Sequence, residues 1–269
     1  MGSNGRACQG VCLAPAAALP LQSPALPESM IPKSGNRFSE KIMLAPQGTV
    51  QMLDFAAARR MMVDSQVRTS DVTNLQLIAA MLAVPRERFV PKAAAELAYL
   101  DTDLPVGTGA RALSKPMVLA KLVQAAEIKE TDHVLVVGCA TGYSAAVIAQ
   151  LGGSVVALEQ EAELARLAQD NLQALGARNT TVVTGPLVAG WPAGAPYGVI
   201  LLDGGVEDVP KVLLSQLKAG GRLLGVVGRA PVSKAMLFRS SGADASGRPI
   251  FDAAAPTLPG FAKPPAFVF

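Results

Sequence analysis

Residues 133–159 read HVLVVGCATGYSAAVIAQLGGSVVALE, and they constrain the fold more than any other part of the chain. His133–Val137 is a short, β-branched apolar run of the kind a buried parallel strand requires. It breaks into Gly138-Cys139-Ala140-Thr141-Gly142, a small-residue turn with glycine at both ends. An apolar helical pattern over residues 143–151 follows and is stopped by Gly152-Gly153. A second strand, residues 154–158, ends on Glu159. Strand, glycine turn, helix, strand and terminal acid make a nucleotide-binding βαβ half.

Glycine leaves the backbone open to close approach by a ligand, and the helix amino end offers free N–H groups. An ionised carboxylate is acceptor-only, so Glu159 is suited to a ribose diol. It lies 17 residues beyond Gly142, against the roughly twenty expected of such a half. The turn is GxAxG rather than GxGxxG, which favours a ligand without a pyrophosphate, such as S-adenosylmethionine. The candidate contacts are Gly138, Cys139, Ala140, Gly142, Tyr143, Glu159 and Gln160. The competing reading is an ordinary tight turn between strand and helix.

Strand and helix patterns keep alternating downstream. A helix over 161–175 precedes a strand over 180–184, followed by Gly185-Pro186-Leu187. A strand over 197–202 ends on Asp203-Gly204-Gly205, and a helix over 210–217 follows, with Asp208 as its expected cap. Gly220-Gly221 introduces a fifth strand, 222–227. Such alternation requires an α/β, Rossmann-like, doubly wound and mostly parallel sheet with helices on both faces. Upstream, helices are expected over 53–67, 74–82 (capped by Asp71 or Thr73) and 92–99, forming a helical cap. Residues 101–116 carry two glycines, two prolines and no periodicity, and read as a loop, either a plain connector or a substrate lip. After Gly228, short strands at 235–239, 248–251 and 266–269 suggest an antiparallel edge. The expected organisation is one domain over 52–269: cap and substrate loop to 116, cofactor core over 117–228, antiparallel edge beyond. Residues 1–51, rich in Ala, Pro, Ser and Gly, read as a disordered extension or as sequence upstream of a natural start at Met52.

Several function classes are excluded. Aromatics make up 4% of the chain, too few for a base-stacking surface. Of 24 basic and 21 acidic side chains, four and two lie in residues 1–51, so the remainder is nearly neutral and carries no footprint for nucleic acid or a membrane. The apolar run 11–21 is interrupted by Pro15 and Pro20, and no uninterrupted stretch reaches the ~20 apolar residues of a membrane helix. A cytoplasmic protein is expected. A single histidine, His133, excludes Ser-His-Asp chemistry and a histidine-ligated metal site, and it is read as structural. Cys8, Cys12 and Cys139 form no disulfide or zinc pattern, so no metal is expected.

Three segments together are similar to the protein-L-isoaspartate O-methyltransferase family, within the Rossmann-like S-adenosylmethionine methyltransferases. Val84-Pro-Arg-Glu-Arg-Phe-Val-Pro91 with Ala98-Tyr-Leu-Asp101 resembles the family's "PRE.FVP…AY.D". Leu104-Pro-Val-Gly107 through Ser114-Lys-Pro116 resembles "LPIG.GQTIS.P", and Val134–Tyr143 resembles "VLEIGTGSGY". Gly220-Gly-Arg-Leu223 also looks like the "PGGRL" before the fifth strand, and the likeness runs from about Arg59 to Gly228. It implies methylation of the carboxylate of isoaspartyl residues in peptides or proteins, with S-adenosyl-L-methionine as methyl donor. By the same resemblance Ser114 donates a hydrogen bond to the acceptor carboxylate, and Gly185, Pro186 and Leu187 line the cofactor. From the residues alone, Ser114 reads equally well as a helix cap ahead of Pro116.

Departures from the pattern are informative. Val136 stands where the family has an acid two residues before the first glycine, and Ala112 where it has a threonine, with one residue inserted in that loop. Gly185-Pro186-Leu187 replaces Gly-Asp-Gly, which removes the acid that contacts adenine. Asp203 replaces a glycine; it reads either as a group facing the ligand crevice, holding the cofactor's amino group or acting as a base, or as a solvated turn residue. These changes keep two alternatives open: a small-molecule methyltransferase on the same scaffold, and a non-catalytic cofactor-binding protein. The oligomeric state is not legible.

Overall fold

The computed structural model describes residues 53–107, 111–229, 232–242 and 244–263. These fall within one unit, Val50–Phe269. The extension expected over residues 1–51 and the strand expected over 266–269 lie outside the described residues.

Helices α1 (Phe55–Met62) and α2 (Leu75–Ala83) open the chain. A hairpin of two short strands, β1 (Leu104–Pro105) and β2 (Ala112–Leu113), leads into α3 (Pro116–Ala126). The core alternates β3 (His133–Val137), α4 (Tyr143–Ala149), β4 (Ser154–Glu159), α5 (Ala162–Ala174) and β5 (Thr180–Thr184). It continues through β6 (Tyr197–Val206), α6 (Lys211–Leu214) and β7 (Leu217–Arg229), then β8 (Val232–Ser240) and β9 (Ala245–Asp252). The seven long strands form one sheet ordered β5-β4-β3-β6-β7-β8-β9. The pairs from β5 to β7 are parallel and the last two are antiparallel, which is the expected doubly wound sheet with an antiparallel edge.

Side chains alternate across the strands, so the sheet separates two cores. Val134, Val136, Val155, Ala157, Val199 and Leu201 face helices α1 to α5. Leu135, Val137, Leu158, Ile200 and Leu202 face Leu213 of α6 together with Leu258 and Phe261. His133 begins β3 with its ring stacked 4.9 Å from that of Tyr197 and its Nδ1 2.6 Å from Ser154 Oγ, a structural placement.

Local chemistry changes several expected elements. The helix over 53–67 is α-helical only to Met62; it widens into a π turn over Val63–Val67 and tightens to 3-10 geometry over Arg68–Ser70. Ser65, Thr69 and Ser70 each donate a hydroxyl hydrogen to a carbonyl four residues back, competing with the α ladder. The cap of α2 is neither Asp71 nor Thr73 but Asn74, whose side chain accepts the Leu77 N–H at 3.0 Å. Asp71 instead closes the preceding turn at φ 62°, and the Thr73 N–H goes to Gln124. Residues 92–97 are 3-10 rather than α. Helix α6 stops at Leu214 because Gln216 turns its amide to Ala189 O and the Trp191 N–H, after which Leu217 pairs with Tyr197. Asp208 does not cap it: the carboxylate accepts the Val209 N–H and pairs with Lys263. The loop over 101–116 is not irregular throughout, since Leu104 pairs with Leu113 and Pro105 with Ala112.

Candidate active site

Strand order reverses between β3 and β6, and in an open α/β sheet that is where the crevice for a ligand lies, beyond the carboxyl ends of the strands. Here those ends are Gly138, Glu159 and Asp203-Gly204-Gly205, so the topology gathers the residues singled out from sequence. Gly138 and Gly142 take φ values of 78° and 97°, which glycine adopts freely. Ala140 sits at φ 51°, a conformation that costs a residue with a Cβ roughly 1–2 kcal/mol. Its N–H points at Glu159 and is held there at 2.7 Å.

Glu159 is fully buried and its carboxylate is filled from within the chain. Oε2 accepts from Ala140 N–H and, at 2.5 Å, from Arg111 Nη2; Oε1 accepts the N–H groups of Gln160 and Glu161. Arg111, itself 3% exposed, also donates to Gly138 O at 3.0 Å. A guanidinium from the loop ahead of Ser114 therefore stands where the ribose was expected. Leu258 lies against the same turn. Its Cδ2 lies 2.8 Å from where a Cβ on Gly138 would be and 2.7 Å from where one on Gly204 would be.

Ser114 and Asp203 are brought together across 89 residues: Ser114 Oγ donates to Asp203 Oδ1 at 2.7 Å. This removes one reading of each residue. Ser114 is not a helix cap, since α3 begins after Lys115 with no side-chain cap. Asp203 is not a solvated turn residue; it lies within β6 and is 5% exposed. Arg86 braces the pair from behind. It is wholly buried, donates to Ala98 O at 2.8 Å and to Ser114 O at 2.9 Å, and lies 4.6 Å from the Tyr143 ring centroid. Burial pushes the Asp203 carboxyl up, against the pull of the Ser144 and Ser114 hydroxyls and of Arg111 and Arg86. A carboxyl raised on folding favours the fold at low pH, and that contribution is lost as pH rises through its folded value. Asp203→Asn is accordingly expected to gain stability relative to the parent as pH rises from 4 to 8, measured by urea unfolding at each pH. A difference independent of pH would place the charge elsewhere.

The other candidates are placed as follows. Cys139 is buried, and burial, helped by Glu159 and Asp203, pushes its thiol well up, so it is unsuited to nucleophilic work. Tyr143 packs edge-on against Phe89 at 5.5 Å and under Arg86, a contact to the cap rather than a crevice group. Gln160 is exposed and contributes its backbone N–H to Glu159. Gly185 donates its N–H to Glu159 O, Pro186 is exposed, and Leu187 is buried in the second core. Arg86, Arg111 and Leu258 were not anticipated. The sequence signals for them are the arginine of the Pro85-Arg86-Glu87 segment quoted above, an arginine beside the inserted residue, and an apolar residue in Pro-Thr-Leu-Pro-Gly after β9.

Comparison with known proteins agrees with this geometry. The family model for protein-L-isoaspartate(D-aspartate) O-methyltransferase matches residues 58–247. A relative from Rhodopseudomonas palustris (strain HaA2) named protein-L-isoaspartate O-methyltransferase 1 is 41% identical over 174 residues, covering 65% of this chain and 71% of that protein. The protein-L-isoaspartate O-methyltransferase of Opitutus terrae is 41% identical over 172 residues, 64% of this chain and 73% of that one. Among solved structures, a protein-L-isoaspartate O-methyltransferase superposes with a TM-score of 0.65 at 26% identity, covering 77% of this chain and 66% of that chain. A putative member from Plasmodium falciparum, solved in complex with S-adenosyl-L-homocysteine, gives 0.64 at 16% identity over 74% of this chain and 97% of that chain, and shows the fold alone. With the family model matched from within α1 into the start of β9, and the glycine turn, Glu159 and Ser114 at the sheet's switch point, the chain belongs to the protein-L-isoaspartate(D-aspartate) O-methyltransferase family.

Proposed function

We propose that the chain is an S-adenosylmethionine-dependent O-methyltransferase that esterifies the free carboxylate of isoaspartyl residues in proteins and peptides. The observation that carries this reading is the family match over residues 58–247, which takes in the cap, the Ser114 loop and the core together. The acceptor needs no base, because a free carboxyl titrates near pKa 4 and is ionised at neutral pH. Alignment and a dry site are the main requirements of such a displacement. The burial of Ser114, Asp203 and Glu159 supports the second requirement.

S-adenosylmethionine does not fit the crevice in the arrangement described above. Glu159 has no access to solvent and takes all its hydrogen bonds from this chain, and Leu258 lies against Gly138 and Gly204. The Ser114 hydroxyl is likewise given to Asp203. An acceptor carboxylate beside an ionised Asp203 would be repelled; the upward push on Asp203 from burial eases this.

The reading is tested by incubating the protein with S-adenosylmethionine labelled in the methyl group and an isoaspartyl peptide. Base-labile incorporation that releases methanol in mild alkali is the expected result. Cofactor binding without methylation of the peptide would reject the isoaspartyl acceptor in favour of a small molecule, the reading that the altered loop and Asp203 favour.

A further inference from the structure

Residues 255–261 run along the carboxyl end of β6 as an extra strand-like segment. Gly205 donates its N–H to Pro256 O at 2.8 Å, Leu258 donates its own to Gly205 O at 2.7 Å, and Thr257 bridges to Gly205. Further on, Glu207 N–H meets Phe261 O, and Lys263 is held both through its N–H to Glu207 and through its ammonium to Asp208. Leu258 and Phe261 are 2% and 4% exposed and belong to the core beneath the sheet. The segment is thus seated on the switch point, with Leu258 lying against Gly138 and Gly204. Beside it, Arg111 occupies the Glu159 carboxylate and Gly138 O, its Nη2 3.4 Å from where a Cβ on Gly138 would be. Two parts of the chain more than 140 residues apart fill one crevice: Arg111 satisfies the carboxylate that a nucleoside ligand would otherwise use, and Leu258 covers the glycines beside it.

We propose that Arg111 and residues 255–261 form an intramolecular plug that competes with the nucleoside cofactor, so that the chain binds S-adenosylmethionine only in a form from which Leu258 and Arg111 have withdrawn. This rests on the cofactor reading given above. The plug lowers apparent affinity by the fraction of molecules that are open: an open population of about 1% weakens binding about 100-fold. Competition is mutual, so ligand binding must in turn release the segment.

Two measurements on the full chain test this. The first is calorimetric titration of S-adenosylhomocysteine into the parent protein, Leu258→Ala and Arg111→Gln. Either substitution is expected to tighten binding at least 10-fold. The second is hydrogen exchange on the parent with and without saturating S-adenosylhomocysteine, which needs no variant to fold. The amides of Gly205 and Leu258, bonded across the segment, are expected to lose protection when ligand is present. Equal affinity in all three proteins, with these amides as protected with ligand as without it, would overturn the plug and leave the methyltransferase reading standing. Absence of binding by any form at millimolar ligand would overturn the cofactor reading itself, and the plug with it.

Discussion

Glu159→Ala is expected to lower stability by about 3–5 kcal/mol, the usual cost of removing one partner from a buried ion pair. The carboxylate is the acceptor for Arg111 and for the N–H groups of Ala140, Gln160 and Glu161. Its loss leaves the Arg111 guanidinium, 3% exposed, with Gly138 O as its partner among the described residues, and removes the bond that holds Ala140 at φ 51°. Arg111→Ala is expected to cost less, because Glu159 keeps its three backbone donors and a carboxylate held by N–H groups is a satisfied one. The order of the two effects is the specific result, and urea unfolding of each variant reads it. A larger loss for Arg111→Ala would show that the pair, not the turn backbone, is what Glu159 chiefly holds. The double variant completes the cycle. Side chains in direct contact are expected to be non-additive, and a sum within 0.5 kcal/mol, on the order seen for independent sites, would mean the two do not meet.

The βαβ half was legible because its information is local. A five-residue apolar strand, a glycine turn and a periodic helix are each written in consecutive residues, and their order dictates a parallel sheet. Glu159 was correctly placed at the end of β4 for the same reason. What was not legible is which partner each polar group takes. Arg111 meets Glu159 across 48 residues, Ser114 meets Asp203 across 89, and Leu258 reaches Gly138 from beyond β9. A carboxylate at a strand end has the same sequence signature whether it awaits a ribose or is bonded to an arginine, and only the packing of the loop ahead of Ser114 separates the two. Helix boundaries failed for a related reason. The hydroxyls of Ser65, Thr69 and Ser70 redirect the backbone locally, and Asn74 outcompetes Asp71 as a cap once Asp71 has been drawn into a left-handed turn.

At the opposite end of the sheet, Asp132→Ala is expected to be about as damaging near neutral pH as the change at Glu159, and unlike that change to have a defined pH dependence. Asp132 is 2% exposed and receives Lys218 Nζ and Arg222 Nη2, each at 3.0 Å, and the Lys129 N–H at 3.1 Å. Lys218 is 44% exposed, so solvent screens its share, whereas Arg222 is buried with the carboxylate and dominates. Arg222 also donates to Ala126 O and Glu127 O, tying the end of α3 to β7. Those two bonds survive the substitution, which puts the expected loss at the lower end, about 3 kcal/mol. Burial pushes the Asp132 carboxyl up, but the bonds from Lys218, Arg222 and the Lys129 N–H outweigh it and hold the group below its ordinary value. The folded carboxyl therefore titrates below the unfolded one, near 3.9, so its contribution is complete above about pH 5 and is lost as pH falls below 4 through the folded value. The gap between parent and Asp132→Ala should accordingly be constant from pH 8 to 5 and close on further acidification, the reverse of the trend for Asp203→Asn. Unfolding curves for both variants across that range separate the two carboxyls. A gap for Asp132→Ala that persisted at pH 2 would mean that its packing, and not its charge, holds the base of the sheet.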